Sequence, residues 1–452
     1  MSAGWQAEVD DLLGKGKVVV EPAAIEKLSK DYYWYSPLLK AKLKDKIAEG
    51  AVKVQSDEDL RQTLAYAYAH SIPVTPRGGG TGNYGQAVPL SGGIVLDLTG
   101  MNEILEIGDG YARCQAGVKL GALEKAIRAT GQELRIYPST LMIATIGGFI
   151  GGGSAGIGSI TYGGLWNGNV LELVVYTMEE QPRRLVIRGD EMIDYIHGYG
   201  TTGIVAEVVI PLAPAKEWQE AIGQFEKLED ALRFANRVAD DPTLVKRVVS
   251  LHEWPLPSYF APLARHLEEG CAAVLLEMEK GSLDRLRKIA GEEGGHIGYT
   301  KEDSHTRKGV SLTDFTFNHT TLWALKADAS YTYLQCGFSP TEYIAQIRQV
   351  KERFGDEVIM HMEWMKAREG NGTVPANLPL LKFTSEERLN EIIDFLNEIG
   401  VPVNNPHTWK LDNKNKTYDG MVERKKLNDP RNLLNPGKLF GEQEQEEVTQ
   451  HE

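Results

Sequence analysis

Residues 73–98 read PVTPRGGGTGNYGQAVPLSGGIVLDL, with a run of glycines and an arginine held between two hydrophobic segments. Flexible backbone of this kind is entropically costly to order, so it points to a task that side chains would obstruct. Consecutive glycines reach positive φ and leave their N–H groups free to converge on an anion. The loop is therefore a candidate phosphate cradle, with Arg77 adding charge. A second stretch, ATIGGFIGGGSAGIGSITYGG at 144–164, repeats the theme and runs into a β segment. Two such loops in one domain suit a long dinucleotide.

Formally, Gly80-Thr81-Gly82-Asn83-Tyr84-Gly85 fits G-x-G-x-x-G, and so does the run from Gly151 to Gly156. A Rossmann fingerprint must open a helix whose N-terminus holds the pyrophosphate, with an acidic residue about twenty positions on. After Gly85 the chain instead meets Pro89, two more glycines and a β run, so the nicotinamide reading is rejected. No G-x-x-x-x-G-K-[ST] occurs, which removes a P-loop as well.

At 452 residues and 42% hydrophobic content the chain is long enough for two or three domains. A net charge of -14 argues against a nucleic-acid footprint, which needs a basic face. Cys114, Cys271 and Cys336 fall in no paired spacing, so neither a disulfide framework nor a structural zinc is expected. A reducing, cytoplasmic setting and a soluble chain follow, since the start lacks a signal-peptide core and no run of about eighteen apolar residues occurs.

Residues 1–45 form an N-terminal helical segment. Its stretch DYYWYSPLLKAKLKDKIAEG (31–50) reads as an amphipathic helix packed on its own protein, with membrane contact as the alternative. From residue 46 a strand, a helix with an acidic first turn and a second strand deliver the glycine loop. Further strands, a helix and the second glycine stretch extend this domain to 213. The prolines of VIPLAPAKEW (209–218) mark a boundary. Residues 214–400 alternate helices and strands in the manner of an α+β domain with an antiparallel sheet. Residues 401–440 are rich in Asn and Pro, and 441–452 is a charged tail expected to be disordered.

Together, PRGGGTGNYGQAVPLSGGIVLDLTGMNEI, YPSTLMIATIGGFIGGGSAGIGSITYG, YGTTGIVAEVVIPL and DPRNLLNPGKLF resemble the vanillyl-alcohol oxidase / p-cresol methylhydroxylase (PCMH) flavoproteins, nearest the glycolate-oxidase D-subunit type. The resemblance implies an α+β protein: a PCMH-type FAD-binding domain of two α/β subdomains with an antiparallel-sheet substrate (cap) domain. Carried over, Pro76, Arg77, Gly78, Gly79, Gly80, Thr81, Gly82 and Asn83 would cradle the FAD pyrophosphate, with Tyr84 and Gln86 beside it. Pro138, Ser139, Thr140, Thr145, Ile146, Gly147, Gly148, Gly153, Ser154, Gly158 and Tyr162 would line the flavin and ribityl chain. Gly203 and Ile204 would reach the cofactor through backbone, and Asn435 and Lys438 would return to it from the C-terminus. Members with covalent flavin carry histidine where Thr81 stands, so the FAD is expected to be non-covalent. The lactate and 2-hydroxyglutarate branch carries His-x-Gly-Asp-Gly-Asn-x-His, absent here, and no metal is expected.

The implied reaction is dehydrogenation of a hydroxyl-bearing small molecule, such as a 2-hydroxy acid, which needs a base for the hydroxyl proton. Within a strand, period two sets His361 and Glu363 on one face, where the carboxylate would charge the imidazole and direct it at the flavin. His319 and His407 complete the expected polar wall, and Asn318, Lys326, Tyr333 and Lys410 are candidate substrate contacts. NNPHTWK (404–410) faintly resembles sugar-lactone oxidoreductases, which leaves a lactone or alditol substrate open. A reductase of carbon–carbon double bonds, of the sterol-reductase type, and a FAD-bearing electron-transfer subunit stay open as well. The sequence does not specify the electron acceptor, whether quinone, cytochrome, O2 or a partner protein.

Overall fold

The computed structural model describes residues 4–302, 310–368, 372–411 and 417–439. The expected disordered tail at 441–452 lies outside them.

Valine-, isoleucine- and leucine-rich strands build the first sheet, in the order Val18–Val19, Gly50–Lys53, Ile94–Asp97, Val74–Arg77. Ile94–Asp97 runs parallel to both its long neighbours, and such parallel strands are apolar on both faces because both are covered. The crossover helix Asp57–Ala69 starts where the Ser56 hydroxyl accepts from Asp59 N at 3.1 Å, and it buries Leu60, Leu64 and Ala67. Three carboxylates in its first turn favour the positive end of the helix dipole. The expected strand–helix–strand unit is thus present, and its last strand ends in Arg77 at the mouth of the glycine loop. No helix lies between Arg77 and Ile94.

A second sheet surrounds the long strand Ile204–Pro214, flanked by Tyr111–Gln115 and Glu172–Tyr176. The glycine stretch at 144–164 is more helical than its composition suggests. Thr145 accepts from Gly148 N at 3.2 Å and caps a helix over Ile146–Gly152. Ile146, Phe149 and Ile150 bury one side of that helix, which offsets the poor helix propensity of its glycines.

Beyond Pro214 the chain enters an eight-stranded sheet whose neighbours all pair antiparallel, as expected. Helices Leu228–Asp240, Leu283–Glu292, Tyr343–Phe354 and Glu386–Glu398 pack with it in one hydrophobic cluster. Arg247 of this sheet lies 5.0 Å from the Tyr137 ring and 4.9 Å from the Trp218 ring, joining the sheet to the loop that enters the second glycine stretch. The segment 31–50 holds a short turn and the helix Pro37–Leu43 before the strand that starts at Gly50, with Leu39 and Leu43 buried against the protein. Among the described residues no helix is long and apolar enough to cross a membrane.

The C-terminal return supports the first glycine loop from behind. Val74 N donates to Leu433 O and Asn435 N to Val74 O, each at 2.8 Å. The Asn435 amide then donates to Gln86 O at 2.9 Å and Tyr199 O at 2.8 Å, tying together two loops 113 positions apart in the numbering (199 minus 86). Lys438, wholly buried, donates to the carbonyls of Gly85, Gln86 and Val88 at 2.7, 2.6 and 2.8 Å. Asn435→Ala should therefore lower stability in urea unfolding by about 1–3 kcal/mol, since Tyr199 O loses its donor and Gln86 O is left with Lys438 alone. An unchanged midpoint would show that the return segment does not support the loop.

Candidate functional site

A cavity of about 720 Å³ lies between the glycine loops and the eight-stranded sheet. Its floor is backbone. A side-chain carbon on Gly79 would stand 2.4 Å from Ile143 O, so the two glycine stretches meet at a distance that only glycine permits. Gly80 takes φ +62 with the Arg77 guanidinium folded directly beneath it. Arg77 donates to Lys30 O at 2.7 Å and shares a buried charge cluster with Asp31 and Lys438. Burial pushes the Asp31 carboxyl up, an effect opposed by Lys438, by N–H donors from Ala87 and Tyr33, and by Arg77. Burial also pulls the Lys438 ammonium down to about 7.

The facing wall comes from the strand His361–Lys366 and the start of the helix Asn318–Ala327. Glu363 lines the cavity although it is 1% exposed. Its Oε1 accepts from Ser250 Oγ at 2.8 Å and Phe317 N at 2.7 Å, and lies 2.9 Å from His361 Nε2. Thr320 spends its own hydroxyl proton on Phe315 O, so the tautomer with its proton on Nε2 suits both the 3.1 Å contact of His361 to Thr320 and its contact to Glu363. His361 is thus a third donor to the carboxyl group. Burial pushes the Glu363 carboxyl up to about 8 against the pull of Phe317 and Ser250, and draws His361 down to about 3. Neither group gains from being charged in so dry a place.

Four buried side-chain atoms of the cavity wall have no hydrogen-bond partner: Gln86 Oε1, Asn318 Oδ1, Asn377 Oδ1 and Trp166 Nε1. Orphaned buried polar atoms are rare in folded proteins, and these four belong to residues of the cavity lining. The volume, the backbone floor and these atoms fit a dinucleotide together with a small substrate.

A family model described as FAD binding domain matches residues 48–184. This part of the chain is a FAD binding domain. The glycolate oxidase subunit GlcD of Bacillus subtilis is 24% identical over 438 residues, covering 88% of this chain and 90% of that protein. The D-lactate dehydrogenase of Archaeoglobus fulgidus is 26% identical over 423 residues, 86% and 90% of the two chains. An alkyldihydroxyacetonephosphate synthase structure shares the fold, with a TM-score of 0.74 over 97% of this chain and 85% of that one at 14% identity. The chain is a FAD-dependent oxidoreductase.

Most residues expected to hold FAD line this one cavity, from Pro76 to Tyr84 with Gln86, and Pro138, Ser139, Thr140, Thr145, Gly147, Gly148, Gly153, Ser154, Gly203 and Ile204. Five others do not. Ile146 is in the core, Gly158 donates to Arg247 O at 2.9 Å, and Tyr162 lies under Arg135 at 5.6 Å. Asn435 and Lys438 act from behind the loop.

The expected catalytic histidines need a larger correction. His361 shares a strand face with Glu363 but sits behind it, stacked on His252 at 4.8 Å, and it is neutral rather than charged. His319, one residue past the cavity-lining Asn318, is off the wall. His407 hydrogen-bonds Ser36 Oγ at 2.7 Å, also off the wall. Lys326 stands over the Trp323 ring at 4.2 Å, Tyr333 accepts from Asn83 at 2.7 Å within the core, and Lys410 does not reach the lining.

Among the described residues the histidine that does line the cavity is His197. Its Nδ1 lies 3.0 Å from Gly153 O and its Nε2 3.3 Å from the Tyr199 hydroxyl. Both His197 and Tyr199 hold positive φ, 58° and 55°, a strain that non-glycine residues keep mainly at functional sites. The signal in the sequence is the glycine-flanked HGYGTTG, in which the histidine stands two residues before the YGTTG motif.

Two outcomes are expected. Acid precipitation should release the yellow FAD into the supernatant, because Thr81 offers no tethering nitrogen; flavin kept in the pellet would contradict this. Gly79→Ala should cost most of the bound FAD, read as the ratio of flavin to protein absorbance, since Ile143 O is backbone and cannot step aside.

Proposed function

We propose that this oxidoreductase dehydrogenates a CH–OH group of a small molecule, with Glu363 as the proton acceptor. The observation that carries the reading is the carboxyl group itself, buried in the cavity wall with three donors on one oxygen. Those donors occupy Oε1, so Oε2 is where a proton arrives and leaves. When bound, FAD would supply the two-electron oxidant that takes the C–H hydrogen with its electron pair; Glu363 Oε2 would take the O–H proton, leaving the carbon–oxygen bond a carbonyl.

His361 is a positioning residue in this scheme. Its Nε2–H fixes the rotation of the carboxyl group and, being neutral, does not drain its basicity. Ser250 and the Phe317 amide hold the same oxygen from two further directions. Phe317 itself has φ +50, which turns its N–H toward Glu363 at the entrance of the following helix. The names of the relatives, a glycolate oxidase subunit and a D-lactate dehydrogenase, support hydroxyl oxidation as the reaction class.

With a carboxyl pKa near 8, the rate of flavin reduction at saturating substrate should rise with pH and level off above about 8. Glu363→Gln should lower that rate by roughly 10² to 10⁴ and flatten the profile, with FAD content retained. A profile unchanged by Glu363→Gln would overturn the assignment. His361→Asn should cost less and move the midpoint.

The same group shapes stability. Its folded pKa lies above the ordinary 4.5, so the native state holds the proton more tightly, and its contribution falls as pH rises from about 4.5 to about 8. Glu363→Gln should therefore gain melting temperature relative to the parent at pH 9 compared with pH 5.

A further inference from the structure

The wall that carries His197 and Tyr199 is held by main chain. His197 N donates to Ile150 O at 2.9 Å and Tyr199 N to Gly151 O at 2.8 Å, while the Gln86 amide donates to Gly152 O at 2.6 Å. The closing carbonyls of the helix Ile146–Gly152 thus take their donors from residues of the cavity lining, and the imidazole stands at the negative end of that helix. Because the Gly153 carbonyl can only accept, His197 Nδ1 carries a proton, and Nε2 of the neutral ring holds a lone pair toward which the Tyr199 hydroxyl donates.

The ring is half-buried and lies edge-on to the Tyr84 ring, with centroids 6.4 Å apart. Tyr84 in turn bonds Gln335 and Asn318, the residue after Phe317, whose N–H holds Glu363. His197 therefore belongs to the end of the cavity that Glu363 occupies. The groups that face the imidazole are the Tyr199 phenol on its own segment, the Tyr84 phenol on the first glycine loop, and the Gly152 and Gly153 carbonyls at the helix end. Burial lowers its pKa against the pull of those carbonyls, and the Tyr84 phenol, pushed up to about 12 by burial, stays uncharged. With oxidised FAD the imidazole is neutral.

Reduction adds a charge. A hydride delivered to the uncharged ring system of FAD leaves one negative charge on it, and an opposite charge close by favours the protonated imidazole. Resting on the reading that the reacting end of FAD lies at the Glu363 end of the cavity, we propose that His197 takes up one proton at Nε2 when the bound FAD is reduced. The proton comes from solvent and the new bond is Nε2–H; the Tyr199 hydroxyl turns from donor to acceptor. FAD gains two electrons and one proton, His197 gains the second proton, and the net charge of the site is unchanged.

The test is the midpoint potential of FAD in the purified holoprotein between pH 6 and 7, read from flavin absorbance against dyes of known potential, with no substrate present. Below about 8 Glu363 keeps its proton and does not enter the count. Uptake of two protons with two electrons changes the ratio of oxidised to reduced FAD a hundredfold over that pH unit, about 60 mV, whereas uptake of one changes it tenfold, about 30 mV. The holoprotein should show the larger slope. His197→Asn accepts the positive φ, and its amide nitrogen takes the place of Nδ1 as donor to Gly153 O, so it should keep its FAD and show the smaller slope. A slope of about 30 mV in the parent overturns the proposal, because no second proton is bound. A slope of about 60 mV in His197→Asn overturns it as well, because the second proton then sits elsewhere. His197→Gln, which cannot titrate either, is read in the same way where His197→Asn loses FAD. Failure here is distinguishable from failure of Glu363 as proton acceptor, which shows instead in the pH profile of substrate-driven reduction.

Discussion

Two stretches of glycine backbone lie against each other in this protein with no room for a side chain between them. The contact of Gly79 with Ile143 O makes the cavity floor a surface of peptide groups. Such a surface cannot hold itself in place, because glycine contributes no side-chain packing and is costly to order. The support comes from elsewhere in sequence: Lys438 and Asn435 grip the carbonyls behind the first loop, and Thr145 caps the helix that carries the second. Arg77 and Asp31 complete this frame. Their charges are largely withdrawn from solvent, a cost that their mutual attraction and that of Lys438 for Asp31 partly offsets.

The opposite wall is arranged on a different principle. Here apolar packing encloses a few polar atoms, and the enclosure sets their chemistry. Glu363 and His361 are 2.9 Å apart, a distance that at the surface would describe an ion pair. Buried together they hold a hydrogen bond between neutral partners, since removing two charges from water costs more than their attraction returns. That makes the carboxyl group a weak acid that can accept a proton only once ionised, towards its pKa of about 8, and it turns the histidine into its support.

Much of the FAD half is legible in the sequence. Glycine at Gly78, Gly79 and Gly80, followed by Pro89 and a β run, announces a backbone cradle that is not a Rossmann turn, and the cavity lining agrees. The helix over Ile146–Gly152 is not legible, because its stability comes from burying Ile146, Phe149 and Ile150 rather than from propensity. His197 escapes a reading of the sequence for a related reason: its place on the cavity depends on a positive φ that composition does not encode.

Alternation along His361–Lys366 determined that His361 and Glu363 share a face, a consequence of strand geometry alone. Which of the two meets the cavity was decided by tertiary structure. Ser250 from a neighbouring strand, Phe317 from a helix entrance and Thr320 one turn later converge on the pair from distant parts of the chain. Local sequence specifies period and propensity, which act over a few residues. Burial, and with it the protonation and role of each titratable group, is set by what packs around it, and only the folded chain brings those neighbours together.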